Sequence, residues 1–198
     1  MSKFLKAEEF VPRVLRNFMQ TSGLEPTLLG KNNLRVVAAG IGKVTFDLHL
    51  HKQHTNRLRI LHGGTIASMV DLGGSLAVAS MGLYSTGVST DLNVSYLAAG
   101  GRAGDKIRVI AECEKMGKTL AYTHIKFFNA KGDLFARGSH TKYIEKARQD
   151  QVTPYSLPAW DLSGPSVDAN GQGQGHGEQD EQGLLDPSEQ NGDKSSQY

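Results

Sequence analysis

The apolar positions change period along the chain, and each change marks an element. Phe4, Leu5, Phe10, Val14, Leu15 and Phe18 recur at helical spacing among Lys3, Lys6, Arg13 and Arg16, which predicts a surface helix near the N-terminus. Val44, Phe46, Leu48 and Leu50 then alternate with Thr45, Asp47 and His49, the period of a half-buried strand. Leu34 to Ala38 reads as the strand before it, across a Gly40-Ile41-Gly42 turn. A long helix is expected from about Gly63 to Ser80, with Gly82 as its stop signal. Four strands follow: Gly87 to Leu97, Lys106 to Lys115, Thr119 to Asn129 and Leu134 to Ile144. Their short links, at Gly100-Gly101, Gly117-Lys118 and Lys131-Gly132-Asp133, predict an antiparallel meander. One long helix with one curved sheet is an α+β arrangement.

The long helix carries the most informative residue. Asp71 sits among Ile66, Met69, Val70, Leu72 and Leu76, eight positions after Gly63. A carboxylate is expensive to bury without partners, so an apolar helix that holds one is a candidate for chemistry. Eight residues of helix rise about 12 Å. Asp71 therefore cannot serve atoms held at the Gly63 amide of its own helix, because both groups must lie within about 3 Å of the reacting centre. If both serve one reaction, a second copy of the chain supplies one of them.

Charge divides the 198 residues in two. Residues 1–149 hold 21 Lys+Arg and 11 Asp+Glu, a balance of +10, while residues 150–198 hold one Lys and nine acids, a balance of −8. The first part is expected to be one folded domain. The second is rich in Gly, Gln, Ser, Asp and Glu, and is expected to be a disordered acidic tail. A basic body suits an anionic ligand. Its basic residues are scattered and lack an aromatic platform, which argues against nucleic acid. The single cysteine, Cys113, excludes an internal disulfide. No apolar run reaches the length of a membrane span. His176 stands alone in the tail, so no metal site is expected. Glu8 and Glu9 count against a mitochondrial leader. The cytoplasm is the default compartment, with the mitochondrion left open.

His54-Thr55-Asn56, Leu61-His62-Gly63-Gly64, Asp71, Gly87-Val88-Ser89-Thr90-Asp91-Leu92-Asn93, Gly117-Lys118-Thr119-Leu120-Ala121 and His140-Thr141-Lys142 stand in this order over most of the body. Together they resemble the hotdog-fold acyl-CoA thioesterases of the thioesterase superfamily member two type, related to the phenylacetyl-CoA thioesterases. That resemblance implies a sheet wrapped around one long helix, and a homodimer that pairs again into a tetramer. It also implies residue roles. Gly63 offers its N–H to the thioester carbonyl, and Asp71 of the neighbouring subunit acts as general base or nucleophile. Ser89 supports Asp71 or its water, and Asn56 orients the water. Lys115, Gly117, Lys118 and Thr119, with Ser89, Asp91, Tyr96 and Tyr143, contact coenzyme A, which is part of the substrate; no separate cofactor is implied.

The chemistry can use each of these groups. A helix N-terminus presents free N–H groups to a developing oxyanion, and a carboxylate can activate water. Lys115, Lys118, Arg57 and Lys142 can pair with phosphates. Read from residues alone, His62 is either a helix cap or a catalytic group. Gly117-Lys118-Thr119 lacks the rest of a phosphate-loop pattern and reads as a hairpin turn, and Asp91 reads as polar face. Two other functions stay open: an acyl-CoA-binding module without turnover, and a 3-hydroxyacyl thioester dehydratase with His62 as base. The chain departs from the family pattern at Arg59-Ile60, where relatives usually carry a glycine and a small residue, at the glycine-rich Ala98 to Gly104, and in the acidic tail.

Overall fold

The computed structural model describes residues 5–30 and 32–149. The acidic tail expected over 150–198, His176 included, lies outside the described residues. The elements are α1 (Ala7–Thr21), α2 (Leu24–Leu28), β1 (Leu34–Gly40), β2 (Lys43–His49), α3 (Gly63–Ser80), β3 (Val88–Tyr96), β4 (Lys106–Met116), β5 (Leu120–Phe128), β6 (Leu134–Tyr143) and α4 (Glu145–Gln149). The six strands form one antiparallel sheet in the order β1-β2-β4-β5-β6-β3. It wraps α3, which packs against β2, β3, β4, β5 and β6. This is the α+β hotdog arrangement implied above.

The apolar pattern explains the wrapping. From Leu72 to Ser80 every α3 residue is buried, so that half of the helix has no solvent face. Around it lie Val44, Phe46, Leu48, Val109, Ile125, Phe127 and Phe135, each fully buried. Burial of such side chains contributes about 1.5–3 kcal/mol each. The N-terminal half of α3 is covered less completely. Gly64, Ala67, Ser68 and Asp71 recur at i, i+3, i+4 and i+7, and this stripe stays partly open. Helix α1 buries Phe10, Val11, Val14, Leu15 and Met19, packing on α3 and β1.

The four-strand meander is corrected. β4, β5 and β6 follow one another, but β3 leaves them and pairs with the far side of β6. The turn at Gly100-Gly101 is therefore a crossover, not a hairpin. β3 and β4 stand three strand spacings apart, roughly 14 Å, well within the reach of residues 97–105. The link is pinned along its course. Leu97 and Ala98 donate to the Phe135 carbonyl at 2.8 and 3.0 Å, Leu61 N–H donates to Gly101, and Gly104 N–H donates to Leu50. A Cβ on Gly100 would stand 2.4 Å from the Phe135 ring, so only glycine allows this passage.

β3 is an edge strand, bonded on one side only and exposed at Val88, Leu92 and Tyr96. Its register against β6 slips at Thr90: Ser89 stands opposite Lys142, but Asp91 opposite Thr141 and Leu92 opposite His140. This bulge reverses the parity of the strand. It lets Ser89 share the inner face with Leu92, Val94 and Tyr96, and sends Asp91 to the other face.

Candidate active site

The first half of α3 carries two separate constellations, one at its start and one at Asp71. At the start, His62 is the N-cap, and its Nδ1 accepts the Gly64 N–H at 2.8 Å. Gly64 thus spends its amide on the cap. The Gly63 N–H has no partner among the described residues, and remains a free donor at the positive end of an 18-residue helix. The Tyr96 hydroxyl donates to the Gly63 carbonyl at 3.0 Å, and its ring lies 3.3 Å from where a Gly63 Cβ would stand. Tyr96, expected at coenzyme A, here braces the glycine.

Asn56 holds the preceding loop. Its Oδ1 accepts the Leu58 N–H at 2.9 Å and the Ile60 N–H at 3.4 Å, which leaves its amide NH2 as the group free to meet a ligand. His54, fully buried, accepts the His51 N–H on Nδ1, and its carbonyl accepts the His62 N–H at 2.8 Å. It ties the His-Thr-Asn segment to the helix start. Burial holds the His54 imidazole below its ordinary value.

At the second constellation three donors converge on one oxygen. Asp71 Oδ1 accepts from Ser89 Oγ at 3.0 Å, stands 3.2 Å from His140 Nε2 and 3.8 Å from Lys142 Nζ. Ser89 Oγ and His140 Nε2 are 2.9 Å apart. No hydrogen bond from a described residue reaches Oδ2. The Asp71 side chain is 42% exposed, so the carboxylate is not the buried one that the apolar helix suggested; it lies on the open stripe. Its two basic neighbours are the buried groups, His140 at 0% and Lys142 at 3% exposure.

Gly74 makes room for them. A Cβ there would meet His140 Nδ1 at 2.4 Å and Thr123 Oγ1 at 2.7 Å. Burial, reinforced by the Lys142 charge and opposed by Asp71, lowers the His140 imidazole to about 4. It is neutral at pH 7. Nδ1 is buried without a partner, so the proton belongs on Nε2, where both Asp71 and Ser89 can accept it. Burial also lowers the Lys142 ammonium, with Asp71 pulling the other way.

Lys142 is a second correction. It was expected to meet phosphates, but a side chain this buried and set against Asp71 cannot. His140 stands in the His140-Thr141-Lys142 motif with no role implied. Its signal was parity: 136, 138, 140 and 142 share the inward face of β6, and the first two are the buried Ala136 and Gly138. A histidine and a lysine continuing an inward series need partners inside.

The residues expected at coenzyme A fall into two groups. Leu120 and Val88 both register against Tyr143, and Ile144 N–H donates to Thr119 at 2.8 Å. Gly117, Lys118 and Thr119 thus adjoin Tyr143 and the start of β3, beside Ser89. Lys115 precedes them on β4, exposed. Tyr96 is seven residues along β3, at the Gly63 end, and Asp91 is on the opposite face from Ser89. No cluster of three or more metal-ligating side chains occurs among the described residues, and no helix there is long and apolar enough to cross a membrane.

Known proteins resemble this chain in sequence and in fold. Residues 58–136 match the family model of the thioesterase superfamily. A Schizosaccharomyces pombe protein, whose name assigns it to the esterases only provisionally, is 39% identical over 73% of this chain and 89% of its own length. Human acyl-coenzyme A thioesterase 13 is 37% identical over 59% of this chain and 82% of its own. The crystal structure of zebra fish thioesterase superfamily member 2 superposes with a TM-score of 0.63, at 33% identity, covering 70% of this chain and 98% of that one. The carboxylate on the central helix, the free amide at its start and these relatives converge: the chain belongs to the thioesterase superfamily, as an enzyme built on the hotdog fold.

Proposed function

We propose that the protein hydrolyses acyl-CoA thioesters to the free acid and coenzyme A, in a site assembled from two copies of the chain. The carrying observation is the separation of the two constellations on α3. Asp71 and Gly63 lie about 12 Å apart along one helix. Ser89 and Tyr96, their partners on β3, lie about 23 Å apart along the strand. A carbonyl at one Gly63 amide is beyond the reach of the same chain's Asp71. The exposed edge of β3 and the open stripe of α3 supply a face on which a second copy can bring its Asp71 to that amide. A dimer is part of this reading, and a tetramer is compatible with it.

In this mechanism Gly63 N–H of one copy donates to the thioester oxygen as negative charge develops there. Asp71 of the other takes a proton from water through its unbonded Oδ2, while Ser89, His140 and Lys142 hold Oδ1. The water oxygen bonds to the carbonyl carbon. The tetrahedral adduct then collapses, the C–S bond breaks, and the coenzyme A sulfur leaves with the electron pair and takes up the proton that Asp71 held, which restores the carboxylate. The Asn56 amide NH2 is placed to orient water or substrate. His62 Nδ1 already accepts a hydrogen bond, so its proton is on Nε2 and that nitrogen is a donor. This supports hydrolysis over a dehydration that needs His62 as base. The interlocked acid supports turnover over mere binding.

Complementation tests the reading. Asp71→Asn removes the base and is expected to lower acyl-CoA turnover by about 10²–10⁴-fold in a thiol-release assay. Gly63→Pro removes the N–H at a first-turn position that accepts proline, at the cost of a Cβ 3.3 Å from the Tyr96 ring. Co-refolding the two inactive variants should restore about a quarter of wild-type turnover, because half the dimers then hold one intact site. Recovery of nothing, or full turnover by Asp71→Asn alone, refutes the shared site.

A further inference from the structure

One buried side chain at the Gly63 end joins two distant parts of the chain. His54 closes a single 3-10 turn, Lys52–His54, and is fully buried. Its Nδ1 accepts the His51 N–H at 2.9 Å. A backbone N–H can only donate, so the ring proton sits on Nε2. Nε2 therefore donates to the Leu29 carbonyl, 3.3 Å away. Both ring nitrogens are spent, and burial favours the neutral imidazole that this pattern needs.

Leu29 caps the end of α2, where the last carbonyls of a helix lack helical partners. The loop supplies them. Gln53 Nε2 donates to the Leu28 carbonyl at 3.1 Å, and His54 takes the next one. In each bond 25 residues separate donor from acceptor. The chain then turns away at Gly30, φ +76°, where a Cβ would stand 3.3 Å from Gln53 Nε2.

The backbone of the same histidine holds the start of α3. The His54 carbonyl accepts the His62 N–H at 2.8 Å and the Thr65 hydroxyl at 3.3 Å. The peptide group after His62 bears the Gly63 N–H, and the His62 ring is tied to Gly64. Asn56 follows His54 in the same loop. A shift of His54 thus moves the Gly63 donor and the Asn56 amide together. An oxyanion donor acts at about 2.7–3.1 Å, and a misplacement of about 1 Å costs about 10²-fold in rate.

We infer that His54 is a positioning residue for thioester hydrolysis: its ring, anchored on α2, fixes the aim of the Gly63 N–H without touching substrate. The inference rests on the acyl-CoA reading above. It makes the end of α2 a support of the site as well as a part of the fold.

Three variants of the full chain test it, with folding followed by circular dichroism and rates taken per folded molecule. His54→Leu fills the space and makes neither bond. It should lower kcat for an acyl-CoA by about 10–10²-fold and leave KM within about threefold. His54→Gln carries both an acceptor and a donor, and should keep kcat within about fivefold of wild type. His54→Asn keeps an acceptor for the His51 N–H but is too short for Leu29. It should lose kcat as His54→Leu does, and it carries the test should the leucine variant not fold. Hydrogen exchange at the Gly64 amide, which is bonded to His62, should quicken about tenfold in the leucine and asparagine variants and stay near wild type in the glutamine variant. A purely structural histidine would give less folded protein at an unaltered kcat per folded molecule. That result, equal losses with Gln and Leu, or unchanged exchange at Gly64 overturns the inference. Should wild type hydrolyse no acyl-CoA, the hydrolysis reading fails, and the exchange comparison still decides whether His54 holds the helix start.

Discussion

The two ends of the site on α3 are built by opposite means. The Gly63 end is local and largely backbone: a histidine cap, a free amide and a loop closed on Asn56, all within residues 54–64. The Asp71 end is non-local and made of side chains. Ser89, His140 and Lys142 arrive from two neighbouring strands, and two of the three are buried. A donor to an oxyanion can be a peptide group wherever a helix begins. A carboxylate that must stay in one orientation needs a fitted pocket. Damage to packing should therefore silence the acid end first, while the glycine end answers mainly to changes in its own few residues.

Gly74→Ala is the strongest challenge to that contrast. The added methyl collides with His140 Nδ1 and Thr123 Oγ1. It should destabilise the fold by about 1–3 kcal/mol, measured by urea denaturation, and lower kcat at least tenfold without touching the reacting atoms. Normal turnover would show that the His140 position is irrelevant. Lys142→Met comes next. It removes a buried ammonium whose one described partner is Asp71, so stability should change by less than about 1.5 kcal/mol, or rise. Turnover should still fall by roughly an order of magnitude, a split between stability and activity that a purely structural lysine would not give.

A smaller effect at neutral pH follows from His140. Its folded value of about 4 lies below the ordinary 6.5, so the unfolded chain takes up the proton first as pH falls. The contribution to stability is complete above about 6.5 and is lost on acidification toward 4. Urea midpoints measured across that window should decline, and His140→Gln should flatten the decline. The mildest change is Tyr96→Phe at the other end. It removes the hydroxyl that donates to the Gly63 carbonyl, at a cost of about 0.5–1.5 kcal/mol. Thermal melting should show a small loss, with no effect on the His140 titration.

The same contrast explains what the sequence could reveal. The helix from Gly63 to Ser80 and the β2 alternation were legible because period and capping are local signals. So was the His62-Gly63-Gly64 start. The exposure of Asp71 was not legible: the small residues Gly64, Ala67 and Ser68 mark an open stripe that period counting alone overlooks. The Lys142 role and the β3 partner were both lost to pairing. Which strands neighbour one another is fixed by tertiary packing and by a crossover that passes Phe135 at a glycine, and no local pattern encodes that.

Thr90 shows how a residue can matter by standing outside the count. Its hydroxyl makes one exposed bond to the Thr141 carbonyl, and many side chains would serve in its place. Ser89 and Leu92 stand three apart in sequence, an odd step, yet face the same way because Thr90 has no opposite number on β6. Drawn into regular pairing at the same chain length, it would turn Ser89 outward for as long as Leu92, Val94 and Tyr96 look in. Excising it leaves both halves in phase, so evolution is free with the letter here, but not with its exclusion from the ladder.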